Sequence, residues 1–107
     1  MRSLNMNLLG EKLLGKELKA VVKSGDTCEI QFSDGSAFTV YTAICCRIDS
    51  EPITLKVVSV RNKEEKITIT FNGNSFIDIL MDENLISSPE IFVYHDSDGQ
   101  IIVETVK

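Results

Sequence analysis

Three dipeptides, Asp34-Gly35, Asn72-Gly73 and Asp98-Gly99, separate runs in which apolar and polar side chains alternate. Aspartate, asparagine and glycine tolerate the positive backbone φ angles that tight hairpin turns require. Alternation with a period of two places one set of side chains on a core face and the other set in water. The sequence therefore predicts antiparallel hairpins and a chain built mainly from β-strands.

Several segments carry this strand pattern, and turn-forming residues bound them. The expected strands are residues 18–23, 27–33, 38–41, 53–60, 67–71, 75–81, 91–94 and 101–105. Residues 82–89 are expected to form a loop, because Ser87-Ser88-Pro89 resists regular structure. The predicted fold class is mainly β, an antiparallel meander of about eight strands that forms a curled sheet, a sandwich or a partial barrel.

A short helix is expected before the first strand. Leucines recur at four- and five-residue offsets over residues 3–14, which is typical of one face of an amphipathic helix. Gly10 weakens this pattern because glycine lowers helix propensity. Gly15 is a plausible end of the helix.

The two middle blocks of strands resemble each other, which suggests an internal duplication. The halves would be residues 16–44 and 53–82, followed by a C-terminal hairpin at 90–106. The parallel rests on Phe32-Ser33-Asp34-Gly35 followed by Phe38, against Phe71-Asn72-Gly73 followed by Phe76. All 107 residues, numbered 1–107, are expected to form one domain.

Composition is that of a globular protein, with 43% hydrophobic and 25% charged residues. The sequence has no apolar run of about 18 residues and no pattern typical of a secretory signal. Cys28 and the adjacent pair Cys45-Cys46 do not resemble a disulfide scaffold. We therefore expect a cytoplasmic protein, with secretion by an unconventional route left open.

The net charge of −5 belongs to the second half of the chain, because residues 1–50 carry six bases and six acids. A field of one sign repels nucleic acid and anionic lipid and attracts basic partners. We therefore expect neither a nucleic-acid partner nor a membrane partner, and solubility alone is the alternative explanation. The stretch between Ile67 and Val106 has no lysine or arginine and holds Asp78, Asp82, Glu83, Glu90, Asp96, Asp98 and Glu104.

The residues that could carry chemistry do not match a known pattern. His95 is the sole histidine, and Ser97 with a neighbouring aspartate in the same turn cannot easily form a nucleophile–base–orienter triad. The turn Asp96-Ser97-Asp98-Gly99 lacks the other ligands and the flanking helices of an EF-hand. Adjacent cysteines lack the spacing of zinc ligands. The sequence predicts no catalytic residue, no metal site and no cofactor.

The first forty residues carry a recurring bacterial pattern, which the second block follows loosely. It reads Leu14-Gly15-Lys16-Glu17-Leu18, Val21-Val22, Phe32-Ser33-Asp34-Gly35-Ser36 and Phe38-Thr39-Val40-Tyr41. This pattern resembles small proteins of bacterial toxin-immunity loci, including the immunity proteins of contact-dependent growth inhibition systems.

The resemblance implies a cytoplasmic protein that binds the C-terminal domain of one cognate toxin, often a nuclease, and occludes its basic active site. Carboxylates would take the place of substrate phosphates, and opposite potentials would speed association. Phe92 or Tyr94 is a candidate aromatic anchor. The acids expected to bind the partner are Asp82, Glu83, Glu90, Asp96 and Asp98. No catalytic residue carries over, because such proteins act by occlusion.

Three other functions stay open. A self-associating structural or accessory β-domain would form a homodimer through an exposed edge strand. A small-ligand barrel would need an apolar cavity, whereas the large apolar side chains here suffice only to fill one core. An enzyme is the last alternative.

Overall fold

A computed structural model of the chain describes residues 2–48, 54–63, 65–81 and 90–105. These ranges contain one helix, α1 (Arg2–Leu13), which is too short and too polar to cross a membrane. The strands in them are β1 (Leu18–Ser24), β2 (Thr27–Phe32), β3 (Ala37–Val40), β4 (Ile44–Arg47), β5 (Val57–Lys63), β6 (Lys66–Phe71), β7 (Phe76–Leu80), β8 (Glu90–His95) and β9 (Ile101–Thr105). The predicted fold class, mainly β with a short N-terminal helix, is confirmed.

The strands form two antiparallel sheets that do not close into a barrel. The order in the five-stranded sheet is β1-β2-β3-β8-β9, and in the four-stranded sheet it is β4-β7-β6-β5. One hydrophobic core joins the inner faces of both sheets to α1, whose Leu9 and Leu13 are fully buried. Phe38 lies among the aromatic rings of this core, with its centroid 5.2 Å from that of Phe92 and 4.8 Å from that of Tyr94.

Each sheet contains a three-stranded meander, and the two meanders have the same register. Leu18 of β1 lies opposite Phe32 of β2, and Val57 of β5 lies opposite Phe71 of β6. A β-bulge follows at the same position in both pairs. The constant offset is 39 residues (57 minus 18, and 71 minus 32). The meanders therefore have equivalent geometry position by position.

The segments that lead into β1 and β5 meet each other. Glu17 forms an antiparallel bridge with Lys56, its equivalent at the same offset. The Leu18 amide donates to the Leu55 carbonyl at 2.8 Å, and the Val57 amide donates to the Lys16 carbonyl at 2.9 Å. These two hydrogen bonds are also equivalents, so a pseudo-twofold axis passes between the two segments.

The fourth strand of each half pairs with the other half. After β3 the chain crosses to the four-stranded sheet, where β4 pairs with β7, and after β7 it returns to the five-stranded sheet, where β8 pairs with β3. Ile44 lies opposite Ile79 in one pair, and Phe92 lies opposite Val40 in the other. Each half thus contributes a strand to the sheet of the other, and neither half is a separate unit.

Two strand assignments from the sequence were wrong in detail. Strand β4 was not expected, because Cys45-Cys46-Arg47 has no apolar alternation and its side chains are exposed. Strand β5 starts at Val57 and continues to Lys63, three residues beyond the expected end at residue 60. Polar side chains can continue this strand because it lies at a sheet edge, where they reach water. Residue 53 and the expected loop at 82–89 lie outside the described residues.

Two glycines near the end of α1 should respond in opposite ways to substitution by alanine. Gly10 lies inside the helix, and an added Cβ would make an ordinary 4.0 Å contact with Val60. Gly15 has a φ of +82° and meets nothing within 4 Å, so conformational strain alone decides its effect. We expect Gly10→Ala to raise the free energy of unfolding by about 0.5–1 kcal/mol and Gly15→Ala to lower it by about 1 kcal/mol. Urea unfolding followed by circular dichroism measures both, and equal signs would contradict the expectation.

Candidate functional site

Two of the three predicted turns have the same geometry and lie side by side. In each turn an aspartate accepts a hydrogen bond from the amide two residues later, Asp34 from Ser36 at 3.0 Å and Asp98 from Gln100 at 2.8 Å. The following glycines adopt φ of +95° and +94°. Because Ala37 of β3 pairs with His95 of β8, both turns project from the same end of the five-stranded sheet.

The third turn differs. Gly73 again has a positive φ, +75°, but the Asn72 side chain bonds a neighbouring segment of the chain. Its Oδ1 accepts from the Lys56 amide at 2.7 Å, and its Nδ2 donates to the Thr54 carbonyl at 3.0 Å. Asn72 therefore fixes the entry to β5 and does not add to a charged surface.

The two aspartate turns meet two lysines at the end of α1, and we call the resulting group the ionic cluster. It consists of Lys12, Lys16, Asp34, Asp96 and Asp98. The Lys12 Nζ atom lies 2.6 Å from Asp98 Oδ2 and 3.7 Å from Asp96 Oδ2. The Lys16 Nζ atom bonds Asp34 and lies 3.4 Å from Asp96 Oδ1. The cluster thus links the helix end to both turns.

Asp96 lies deepest in the cluster, with 6% of its side chain exposed. Its Oδ1 accepts a hydrogen bond of 2.6 Å from the Tyr94 hydroxyl. Burial, and then this hydrogen bond, raise the pKa of the Tyr94 phenol above its usual range. Tyr94 therefore stays protonated and serves as a fixed donor to Asp96.

The other two carboxylates of the cluster are stabilised in their charged form. The hydrogen bond from Lys12 lowers the pKa of Asp98 to about 2. Desolvation opposes ionisation of Asp34, but hydrogen bonds from Lys16 and Ser36 outweigh it and hold the pKa of Asp34 well below its usual range. Their side chains are 51% and 39% exposed, so both present charge to solvent from fixed positions. A groove of about 410 Å³ opens beside Asp34, between Lys16 and Lys56.

The residues predicted to bind a partner fall into different places. Phe92 and Tyr94 have no exposed surface, so a partner could reach neither ring without unfolding the core, and their prediction as anchors was wrong. Asp96 is paired with two lysines and mostly buried, which corrects the expectation of a free acid. Asp98 keeps half its side chain exposed and remains a candidate.

The other three acids predicted to bind the partner are Asp82, Glu83 and Glu90. Asp82 and Glu83 lie outside the described residues. Glu90 begins β8, where its backbone pairs with Thr105. Their role in binding stays a prediction.

The outer face of the four-stranded sheet carries the opposite charge, and we call it the basic face. It holds Arg47, Arg61, Lys63 and Lys66 around one acid, Asp78. Directly opposed residues of antiparallel strands share a face, which places Arg61 beside Thr68 and Lys63 beside Lys66. A groove of about 600 Å³ runs over this face and is lined by Arg47, Lys63, Lys66, Thr68, Thr70 and Phe76 among others.

Asp78 is held at the centre of the basic face. It is 8% exposed and accepts a hydrogen bond of 2.6 Å from the Thr68 hydroxyl. Lys66 Nζ lies 3.5 Å from its second oxygen. Asp78 thus balances one of the four cations, and the face retains three positive charges among its described residues.

The positions equivalent to the four bases carry no lysine or arginine in the five-stranded sheet. The equivalents of Arg61, Lys63 and Lys66 at the 39-residue offset are Val22, Ser24 and Thr27, which occupy the same register positions. The equivalent of Arg47 is His95, because Arg47 lies opposite the first residue of β7 and His95 lies opposite the first residue of β3. Strands β7 and β3 are the third strands of the two meanders. The same architecture therefore forms without these bases, and folding does not account for them.

Sequence reasoning missed both the lysines of the ionic cluster and the basic face. Lys12 and Asp98 are 86 positions apart, and nothing in the local sequence links them. The run Arg61, Lys63 and Lys66 was visible, and the alternation of Arg61 and Lys63 could have indicated one face of a strand. Arg47 joins them only through the pairing of β4 with β7.

Within the described ranges, no three histidine, cysteine or acidic residues are grouped so that they could hold a metal ion. Comparison of the chain with family models, curated proteins and solved structures gave no match. The resemblance to immunity proteins therefore stays a prediction from the sequence.

Lys16→Met should destabilise the protein because it leaves Asp96 and Asp34 without their shared cation. The Lys16 side chain is 13% exposed and that of Asp96 is 6% exposed, so solvent cannot fully replace the lost pairing. We expect the free energy of unfolding to fall by about 1–3 kcal/mol. Lys19→Met, on an exposed residue of β1, is the matched control, and an equal loss in both variants would contradict this role.

The ionic cluster should also make stability depend on acid. The pKa values of Asp34 and Asp98 are lowered by folding, so their contribution is complete above about pH 4, the unfolded value, and is lost as pH falls toward the folded values, about 2 for Asp98. We expect the urea midpoint of the wild type to fall between pH 5 and pH 2.5. The urea midpoint of the double variant Asp34→Asn with Asp98→Asn should fall less over this range. If the midpoints of the wild type and of the double variant fell by the same amount, the assignment would be contradicted.

Proposed function

We propose that the chain is an immunity protein that binds one cognate bacterial toxin domain and neutralises it by occluding a basic active site. The cognate domain would be a nuclease, and binding would occur in the cytoplasm. The proposal starts from the sequence pattern that resembles those of toxin-immunity proteins. What supports it in the fold is the pair of half-exposed carboxylates, Asp34 and Asp98, on two adjacent turns.

These carboxylates are suited to binding because their positions are fixed before any partner arrives. Each is held by its own turn and by a lysine of the ionic cluster. A preorganised group loses little conformational entropy on association. Three carboxylates and two ammonium groups leave the cluster with one net negative charge, and the chain carries −5 in all. Such a surface favours and steers a basic partner.

Asp98→Asn tests the proposal against the toxin domain encoded beside this chain's own gene. Asparagine keeps the acceptor of the turn but removes the charge, so we expect affinity to fall by about tenfold at low salt. Asp26→Asn is the matched control, because Asp26 is exposed in the β1–β2 turn at the other end of the meander. Surface plasmon resonance at two ionic strengths would measure both variants.

The wild-type protein should bind this toxin domain and inhibit its activity. A purified toxin domain that ignores the wild type would refute the immunity function. Equal effects of Asp98→Asn and Asp26→Asn would instead show that the ionic cluster is not the interface.

A self-associating β-domain is the second candidate, and one observation favours it. Among the described residues, the edge strands β1, β4, β5 and β9 each have one side without a paired strand, and such edges can pair with a second copy. Pairing of β4 with a copy of itself would bring two basic faces together, and like charges oppose this. Light scattering of the purified protein distinguishes the candidates, since an immunity protein needs no second copy.

A further inference from the structure

The two sheets differ by one strand, and the pseudo-twofold axis shows where the difference lies. In the five-stranded sheet, β9 pairs with β8. The equivalent of β8 in the other sheet is β4, since β8 pairs with β3 and β4 pairs with β7 in the same register. No described strand pairs with the outer side of β4. The position that β9 fills in one sheet is therefore filled by no described strand in the other.

Burial of the equivalent inner residues reflects this difference. Tyr94 of β8 lies opposite Ile102 of β9 and has no exposed surface. Its equivalent in β4, Cys46, is exposed. Ile48, just beyond β4, is 44% exposed. An added strand would cover apolar surface here, as β9 does in the other sheet.

The backbone of β4 also offers hydrogen bonds along its open edge. The Leu80 amide donates to the Ala43 carbonyl at 3.1 Å, so the backbone of residue 43 points towards β7. Successive residues of an antiparallel strand point their backbone groups to alternate sides. Cys45 and Arg47 therefore bond β7, whereas the N–H and C=O groups of Ile44 and Cys46 point to the open edge.

The charge beside this edge selects the occupant. Arg47 lies on β4 itself, and Lys66, Lys63 and Arg61 lie farther across the same face on β6 and β5. Opposite charges across neighbouring strands stabilise a sheet, and like charges destabilise it. A second copy would bring a second basic face, so an acidic strand from another protein suits the edge better.

We infer that β4 is a docking edge for an extended acidic segment of a partner protein, which adds to the four-stranded sheet as an antiparallel fifth strand. The register of β9 on β8 supplies the geometry. An outward residue of the segment lies opposite Arg47 and is acidic. The next residue lies opposite Cys46, faces inward and is apolar. This edge is separate from the ionic cluster and goes beyond the proposed function.

The probe is a fluorescein-labelled peptide of residues 99–106 of this chain with Ile101→Glu. In the register of β9, position 101 falls opposite Arg47 and Ile102 falls opposite Cys46. The chain's own β9 is tethered to β8 and keeps that site filled, because its effective concentration is high. Fluorescence anisotropy should show saturable binding to the full-length protein.

Cys46→Pro removes the backbone N–H of residue 46, which points to the open edge, and proline is tolerated on edge strands. We expect it to weaken peptide binding by at least about tenfold, while Cys46→Ser, which keeps the amide, changes it by less than about twofold. Asp98→Asn should leave peptide binding unchanged, since it acts at the ionic cluster. Equal binding by Cys46→Pro and Cys46→Ser would overturn the inference.

A second comparison uses the wild-type protein, so it does not depend on how Cys46→Pro folds. A peptide N-methylated at Ile102 loses the amide that faces β4 and should not bind, whereas methylation at Val103, whose amide points away, should be tolerated. A peptide with Ile101→Lys should bind more weakly, and Arg47→Glu should reverse that preference. Equal binding of the two methylated peptides, or no charge preference, would overturn the inference.

Light scattering of the protein without peptide tests the remaining occupant. A monomer across the concentration range is expected. A dimer that Cys46→Pro dissociates and Cys46→Ser does not would show that a second copy occupies the edge, and would overturn the assignment to an acidic partner.

Discussion

The exchange of fourth strands between the two halves is the constraint on which the rest of the structure depends. Pairing of β8 with β3 places His95 opposite Ala37, so the turn that precedes β3 and the turn that follows β8 emerge side by side. Asp34 and Asp98 belong to separate hairpins, and this pairing brings the two hairpins next to each other. The same exchange places β4 on β7 and brings Arg47 to the sheet that holds Lys66. The ionic cluster and the position of Arg47 on the basic face therefore both depend on one topological feature.

The ionic cluster shows how burial changes the value of a charge pair. Exposed pairs contribute at most about 1 kcal/mol, because water screens the charges. Asp96 has 6% of its side chain exposed, so its two lysines and the Tyr94 hydroxyl replace solvent that the fold has removed. A carboxylate left there without partners would be strongly destabilising. Asp96 and its partners in the cluster thus contribute to stability, whereas Asp98 and Asp34 present an exposed surface for binding.

The sequence predicted what depends on neighbouring residues and missed what depends on distant ones. The Asp34-Gly35 and Asp98-Gly99 turns could be predicted because each closes over a few residues with a side chain that bonds the amide two positions later. Strand β4 could not, because its partner β7 comes some thirty positions later and its cysteines carry no alternation. The second half of the chain is acidic in composition, as the sequence shows. Its acids do not, however, form a field of one sign. Lysines from the helix end neutralise part of this negative charge. The burial of Tyr94 was also missed, because it depends on the order of the strands in the sheet.

The differences between equivalent positions indicate which residues the fold itself does not require. Phe32 and Phe71 match, as do the two β-bulges, because both meanders need them to pack and to bend. Val22 and Arg61 occupy the same position in their sheets yet differ in charge. Since packing tolerates either, the arginine is free to serve another purpose. The same reasoning applies to Tyr94 and Cys46, of which one is covered by β9 and the other is exposed. Symmetry within one chain thus provides the comparison that separates folding from binding.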